Sequence, residues 1–143
     1  MNGAPKQINL FTKRTNGAKG LTTPESEIQA AFFVWLRLHE RRFPELRFCF
    51  AVPNGGYRFK ATAAMMKRTG AKAGVPDCFL PVAANGFHGL WIEFKTDTGK
   101  LSDAQSEFTK FLDQMNYKVL ICRSLTAAAN AVIEYLSLPI PKM

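Results

Sequence analysis

A short hairpin pattern in the middle of the chain constrains the fold more than any other feature. Two apolar runs, residues 78–82 and 90–94, have the length of β-strands, and Ala84-Asn85-Gly86 between them supplies turn residues. If the strands pair antiparallel about a turn near Asn85, opposed residues have numbers that sum to about 170. That register places Asp77 opposite Glu93, so the sequence predicts two neighbouring carboxylates.

The alternation of side chains along the second strand adds a third charged group. Glu93 and Lys95 project to one face, whereas Ile92 and Phe94 project to the other. Two facing carboxylates repel each other unless a cation lies between them, and hard oxygen ligands suit Mg²⁺ or Mn²⁺. The pattern therefore suggests a metal site for phosphodiester chemistry. The plain alternative is a solvent-exposed strand face that carries an ordinary Glu and Lys.

The charge balance favours a polyanionic partner. The 143 residues include 19 Lys and Arg against 11 Asp and Glu, which gives a formal charge of +8 and a pI near 9.7. Nucleic acid is the first expected partner, ahead of an anionic membrane. The N-terminus lacks an apolar signal region, and the longest apolar run, residues 30–36, is too short to cross a bilayer. We expect an intracellular protein without a membrane partner.

The three cysteines give no sign of a metal or disulfide framework. Cys49, Cys78 and Cys122 are isolated in apolar surroundings, without the paired spacing of zinc ligands. We expect buried, reduced thiols.

The N-terminal half is predicted to contain a basic arm, a helix and a strand. Residues 1–22 carry basic but no acidic residues, so they form either a flexible arm that contacts phosphates or a terminus without function. Thr23 as N-cap and Pro24 at the first helical position begin a helix that runs to about Arg41. Residues 48–52 are a predicted strand.

The next segment carries the predicted nucleic-acid contacts. A Pro-Asn-Gly-Gly loop at residues 53–56 precedes a helix over residues 59–69, which Gly70 ends. Asn54 and Gly55 either contact DNA or brace the site, or they only form a tight turn between strand and helix. Four basic residues give this segment a positive side: Lys60, Lys67, Arg68 and Lys72.

The C-terminal half predicts a crossover connection. Ser102 begins a helix with a capping-box partner at Gln105, and its predicted apolar face consists of Phe108, Phe111, Leu112 and Met115. The continuous apolar run at residues 117–122 is typical of an inner strand. A last helix over residues 125–138 is capped by Ser124.

These elements define an α/β fold in αβαββαβα order, with a small mixed sheet flanked by helices. We expect one domain over residues 23–138, followed by a short tail at 139–143.

Four motifs in the same order give the chain a family resemblance. It resembles the VRR-NUC branch of the PD-(D/E)XK nuclease superfamily, and it is most similar to the small stand-alone phage and prophage members, over roughly residues 24–123. The motifs are Pro-Glu-Ser-Glu-Ile-Gln at 24–29, Pro-Asn-Gly-Gly at 53–56, Gly-Val-Pro-Asp at 74–77, and Ile-Glu-Phe-Lys at 92–95 followed by Gly-Lys-Leu-Ser at 99–102 and Gln105. The resemblance implies a restriction-endonuclease-like core.

The resemblance also implies the roles of individual residues. Asp77, Glu93 and the backbone carbonyl of Phe94 would bind Mg²⁺ or Mn²⁺, and Lys95 would position or activate the attacking water. It further implies that Gln105 faces the active site, although a capping box also accounts for this residue.

Family members usually add a glutamate from the first helix, and two candidates are present. Glu25 matches a Glu-x-x-x-Gln pattern with Gln29, whereas Glu27 lies on another side of the helix. A favourable charge in the first helical turn would explain either residue equally well.

The substrate implied by the resemblance is branched DNA, such as a four-way junction, cut by a homodimer that recognises shape rather than base sequence. Two alternatives remain: a non-catalytic DNA-binding module on the same scaffold, and an RNA-directed nuclease. No small-molecule cofactor is expected. His39 and His88 have no partners at ligand spacing, so we expect both to be structural or exposed.

Overall fold

The computed structural model describes residues 24–53 and 60–139. The predicted basic arm at residues 1–22, together with Asn54 and Gly55, lies outside the described residues. Lys60 is described only in its backbone.

Four α-helices, one 3₁₀ helix and a four-stranded sheet make up the fold of the described residues. In chain order the elements are α1 (Glu25–His39), a 3₁₀ helix (Pro44–Phe48), β1 (Phe50–Ala51), α2 (Lys60–Arg68), β2 (Cys78–Leu80), β3 (Leu90–Phe94), α3 (Asp103–Gln114), β4 (Lys118–Cys122) and α4 (Leu125–Leu136). The strand order is β1-β2-β3-β4. The first three strands are antiparallel, and β4 is parallel to β3. The α/β class, the mixed sheet and the crossover are confirmed.

The central hairpin has the predicted register. Cys78 pairs with Ile92, and Leu80 pairs with Leu90. Ala84 and Phe87 close the turn through two mutual backbone hydrogen bonds. The two residues between them, Asn85 and Gly86, have φ angles of +49° and +82°, as a type I′ turn requires.

The hydrophobic core lies between one face of the sheet and helices α1 and α4. Leu90, Ile92 and Phe94 point alternately into this face and are almost completely buried, and Phe94 contacts Phe32 of α1 at a ring distance of 5.6 Å. Each such side chain contributes about 1.5–3 kcal/mol through burial. Because side chains alternate, Trp91 and Glu93 lie on the opposite face.

Helix α3 lies on that opposite face, and its predicted apolar side is buried only in part. Leu112 is buried, but it does not belong to the main core cluster. Phe111 and Met115 are 54% and 47% exposed. The predicted apolar face therefore packs only in part: Leu112 is buried, whereas Phe111 and Met115 are largely exposed.

Several predicted boundaries were wrong, for local reasons. Residues 44–48 form the 3₁₀ helix, because Pro44 supplies a fixed φ at its first position, so β1 is shorter than predicted. Pro24 is the N-cap of α1 rather than its first helical residue, and α1 ends at His39. The apolar strand β4 is an edge strand in the described sheet, and Ile121 is 41% exposed.

The cysteines are unpaired and mostly buried, and His39 packs against an aromatic ring. All three cysteines are free; Cys78 and Cys122 are buried, whereas Cys49 is half-buried. The pKa of the Cys78 thiol is raised by its contact with Cys49 and by burial, and burial raises the pKa of Cys122 to about 11. His39 stacks on the Trp35 ring at 4.6 Å.

None of the described helices is long and apolar enough to cross a membrane.

Gly74, directly before the Val-Pro-Asp segment, packs against the backbone of the first turn of α3. Its φ is +90°, and a Cβ at this position would lie 2.4 Å from the carbonyl oxygen of Ala104. We expect Gly74→Ala to destabilise the fold by about 2–4 kcal/mol, because backbone strain and a clash with backbone add together. Gly70→Ala is the matched control, since Gly70 has φ +104° but no atom within 4 Å of its Cβ position. Urea unfolding of both variants checks this, and equal losses would contradict it.

Candidate active site

Two carboxylates and a lysine meet where β2 begins and β3 ends. Asp77 directly precedes β2, and its Oδ2 accepts a 2.7 Å hydrogen bond from the backbone N–H of Phe94. The Lys95 Nζ lies 3.3 Å from Glu93 Oε1. Glu93 and Lys95 are 4% and 8% exposed, so both charged groups are held out of bulk water on the α3 face of the sheet. Buried charges of this kind need each other or a ligand.

The surroundings of these carboxylates disfavour their charged forms. Burial, and next the charge of Asp77, raise the pKa of Glu93 to about 7, although Lys95 opposes this effect. Burial likewise raises the pKa of Asp77, while the hydrogen bond from Phe94 works in the opposite direction. Perturbed carboxyl groups in contact with one another are typical of functional sites. A cation between them would reverse both shifts.

The donor atoms fit a hard divalent cation. Glu93 Oε2 is buried and has no hydrogen-bond partner within the described residues. The N–H and C=O of one strand residue point to the same neighbouring strand, so the Phe94 carbonyl points to the side on which Asp77 lies. Residues 24–53 and 60–139 contain no group of three His, Cys, Asp or Glu side chains that could hold a metal. Two carboxylates, one carbonyl and several waters are a typical Mg²⁺ environment.

Glu25 lies at the rim of the same site. Its Oε1 is 3.9 Å from Lys95 Nζ and accepts a long 3.4 Å hydrogen bond from the Thr96 N–H. Glu27 is exposed. The described contacts therefore connect Glu25, and not Glu27, with Lys95, which supports Glu25 as the helix-borne acid.

Gln105 takes part in both interactions that the sequence left open. Its Oε1 accepts a hydrogen bond from the Ser102 N–H at 2.9 Å, and its own N–H donates to Ser102 Oγ, which completes the capping box. At the same time its Nε2 donates to Glu93 Oε1 at 2.5 Å. One side chain thus caps α3 and orients the buried carboxylate.

Arg123 is a contributor that the sequence analysis missed. Its guanidinium donates to the carbonyl oxygens of Thr96 and, at 2.9 Å, Gly99. It therefore fixes the segment after Lys95, whose Thr96 N–H contacts Glu25. The only sequence signal was a basic residue directly after a strand parallel to β3.

The predicted nucleic-acid contacts are not joined to the carboxylates. Lys67, Arg68 and Lys72 are exposed on α2 and the residues after it. In the described part of the chain, none of them forms an ion pair with the site. They remain available to a ligand larger than the site itself.

The fold and this residue set define an α/β protein with a nuclease-like architecture, in which two strands present two acids and a lysine. The family model of the VRR-NUC domain matches residues 24–126. The chain belongs to the VRR-NUC family, which is a nuclease family.

A solved structure supports the same assignment. The chain is similar to a "VRR_NUC domain protein", with 25% sequence identity and a TM-score of 0.66, over 83% of this chain and 93% of the other. No curated protein matches the chain.

The raised pKa of Glu93 predicts a pH-dependent effect on stability. Between its ordinary pKa of 4.5 and about 7, the folded protein holds a proton that the unfolded chain releases, so stability falls as pH rises through this window. In EDTA at pH 8 we expect Glu93→Gln to increase the free energy of unfolding by about 1–3 kcal/mol, because the amide carries no charge to bury.

Urea unfolding at pH 8 and at pH 4 checks this prediction, since the gain should largely disappear at the lower pH. Glu27→Gln, on an exposed side chain, is the control and should change stability by less than about 0.5 kcal/mol. A Glu93→Gln variant that is less stable than the wild type at pH 8 would contradict it.

Proposed function

We propose that this protein is a Mg²⁺- or Mn²⁺-dependent endonuclease that hydrolyses DNA phosphodiester bonds, with branched DNA as its preferred substrate. One observation carries the proposal: Asp77 and Glu93 lie together with Lys95, and the Oε2 of buried Glu93 lacks a hydrogen-bond partner in the described structure. A protein that only bound nucleic acid would gain nothing from two carboxylates that repel phosphate.

The residues of the chain have distinct roles in this proposal. Asp77, Glu93 and the Phe94 carbonyl would hold the cation, which when bound lowers the pKa of the attacking water and offsets charge on the phosphate. Lys95 Nζ orients that water and stabilises the negative charge that develops on the phosphoryl oxygens. Gln105 fixes Glu93, and Glu25 restrains the Lys95 ammonium.

Affinity for DNA comes mainly from charge in this proposal. The net charge of +8 and the exposed Lys67, Arg68 and Lys72 favour binding of the phosphate backbone through release of counterions. Selection of branched DNA and action as a homodimer are further parts of the proposal, and they are supported by the family resemblance. A two-fold symmetric enzyme can act on two symmetry-related strands of a junction.

A cleavage panel tests the proposed function. Labelled four-way junction, linear duplex, single-stranded DNA and duplex RNA of matched length are incubated with the protein and Mg²⁺, and then with EDTA. We expect cleavage of DNA, fastest for the junction, and no cleavage in EDTA while the circular dichroism spectrum stays unchanged.

Every alternative result of this panel would exclude a part of the proposal. Faster cleavage of RNA would assign an RNA-directed nuclease. Binding without cleavage of any substrate would assign a binding module on a nuclease scaffold. Cleavage that survives EDTA would exclude the metal-dependent mechanism.

A further inference from the structure

A row of aromatic rings crosses the sheet on the same face as the active site. Phe50 of β1 meets Phe79 of β2 edge to face at 5.9 Å, and Phe79 stacks on Trp91 of β3 at 4.3 Å. Tyr117, just before β4, contacts Phe79 at 5.9 Å. These four residues are called the aromatic row. Aromatic pairs across neighbouring strands stabilise a sheet, but they normally do so inside a core.

The aromatic row does not belong to the hydrophobic core. The core cluster under α1 and α4 includes Cys78, Leu80, Leu90 and Ile92, which alternate with Phe79 and Trp91 along the two strands, but it includes no member of the row. Phe50, at one end, is 49% exposed. Phe79, Trp91 and Tyr117 are half-buried, so the rings form a partly exposed surface on the sheet face that also carries Glu93.

The position of Phe79 within the row is fixed by its packing. A Cβ on Gly89 would lie 2.5 Å from the Phe79 ring, so the ring occupies the space that the missing side chain leaves. Trp91 and Tyr117 then hold it from two sides. A rigid aromatic surface loses little conformational entropy when a flat ligand stacks on it.

The row leads directly to the catalytic carboxylates. Trp91 and Glu93 project from the same side of β3 two residues apart, which is about 7 Å along a strand. That spacing is on the scale of one nucleotide. The Arg47 guanidinium lies 5.2 Å from the ring centre of Phe48, and both residues belong to the 3₁₀ helix that leads into β1. Aromatic rings combined with cationic groups are what proteins use to bind single strands of nucleic acid.

We propose that the aromatic row binds unpaired bases of the strand whose phosphate enters the active site. This inference rests on the proposed nuclease function, and it names a substrate feature: a short unpaired segment beside the scissile phosphate. Every base has a stackable face, so binding of this kind tolerates any sequence.

Binding in EDTA tests the row without any cutting. Fluorescence anisotropy compares a labelled single strand of about twelve thymidines with an abasic strand of equal length and charge. We expect the wild type to bind the thymidine strand about tenfold more tightly, and Phe50→Ala to remove most of that preference while binding of the abasic strand stays the same. Phe111→Ala is the matched control, because Phe111 is a similarly exposed phenylalanine on α3, at 54%.

Three results would overturn the inference. One is equal affinity of the wild type for the two strands, and another is an equal loss of preference in Phe111→Ala and Phe50→Ala. The third is a change of molecular mass in Phe50→Ala by light scattering with the base preference intact, which would assign the row to contact between copies of the chain. Thermal unfolding verifies that both variants are folded. A separate Mg²⁺ cleavage assay distinguishes the two proposals: base preference without cleavage would refute the nuclease function alone.

Discussion

Substitution of Lys95 by methionine is expected to lower the rate of DNA cleavage by about a hundredfold to a thousandfold. Methionine retains the length and the apolar stem of lysine, so the buried position stays filled. The variant loses the ammonium group that lies 3.3 Å from Glu93 and 3.9 Å from Glu25. Single-turnover cleavage at saturating DNA measures the effect, because it separates the chemical step from binding.

Binding of metal should respond in the opposite direction in this variant. Lys95 repels a cation held by Asp77 and Glu93, so titration calorimetry with Mn²⁺ at pH 8.5 is expected to show equal or tighter binding once the ammonium is removed. Lys95 lowers the pKa of Glu93, so its loss favours the protonated carboxyl group. An alkaline pH is therefore needed to keep Glu93 ionised in this variant. Lys100→Met, which changes an exposed lysine in the connection between β3 and α3, is the control. Loss of metal binding together with cleavage would assign Lys95 a structural role instead.

Asp77→Asn should strongly weaken metal binding while it preserves the hairpin. The amide oxygen of asparagine can still accept the hydrogen bond from the Phe94 N–H, whereas the charge that holds a hard cation is gone. We expect affinity for Mn²⁺ to fall by about a hundredfold or more and cleavage to fall below detection. Calorimetry and the junction assay measure the two effects.

The control for Asp77→Asn is Asp97→Asn, which removes an exposed carboxylate from the segment directly after Lys95. This variant should bind Mn²⁺ and cleave DNA like the wild type. If Asp77→Asn retained both properties, the cation would have to be held elsewhere, and the site assigned to β2 and β3 would be wrong.

The hairpin was predictable because residues close together in the sequence determine its turn and its register. The Asn85-Gly86 turn specifies one register, and the strict two-residue period of β-strands then determines which side chains share a face. The capping box at Ser102 and the cap at Ser124 were predictable for the same reason, since each depends on residues three apart.

The position of β4 was not predictable from its own residues. A continuous apolar run is typical of an inner strand, but whether another strand pairs with its free edge depends on the whole sheet. The role of Arg123 was hidden for a related reason. Its partners, Thr96 and Gly99, are brought near only by the parallel pairing of β3 and β4.

The aromatic row also escaped sequence analysis. Phe50, Phe79 and Trp91 each fit an ordinary strand pattern, and only the register across three strands aligns them on one face. Local periodicity gives the face on which a side chain lies, but not its neighbours on other strands.

The double engagement of Gln105 restricts how the connection between β3 and α3 can vary in length. The start of this connection is anchored because Glu93 lies in β3 and Lys95, directly after β3, contacts it, and the end is anchored because Gln105 holds both Ser102 and Glu93. An inserted or deleted residue between 97 and 101 would rotate the first turn of the helix away from the carboxylate that it supports. Loop-length variation, which surface connections usually tolerate well, is therefore incompatible with an intact site at this one crossover.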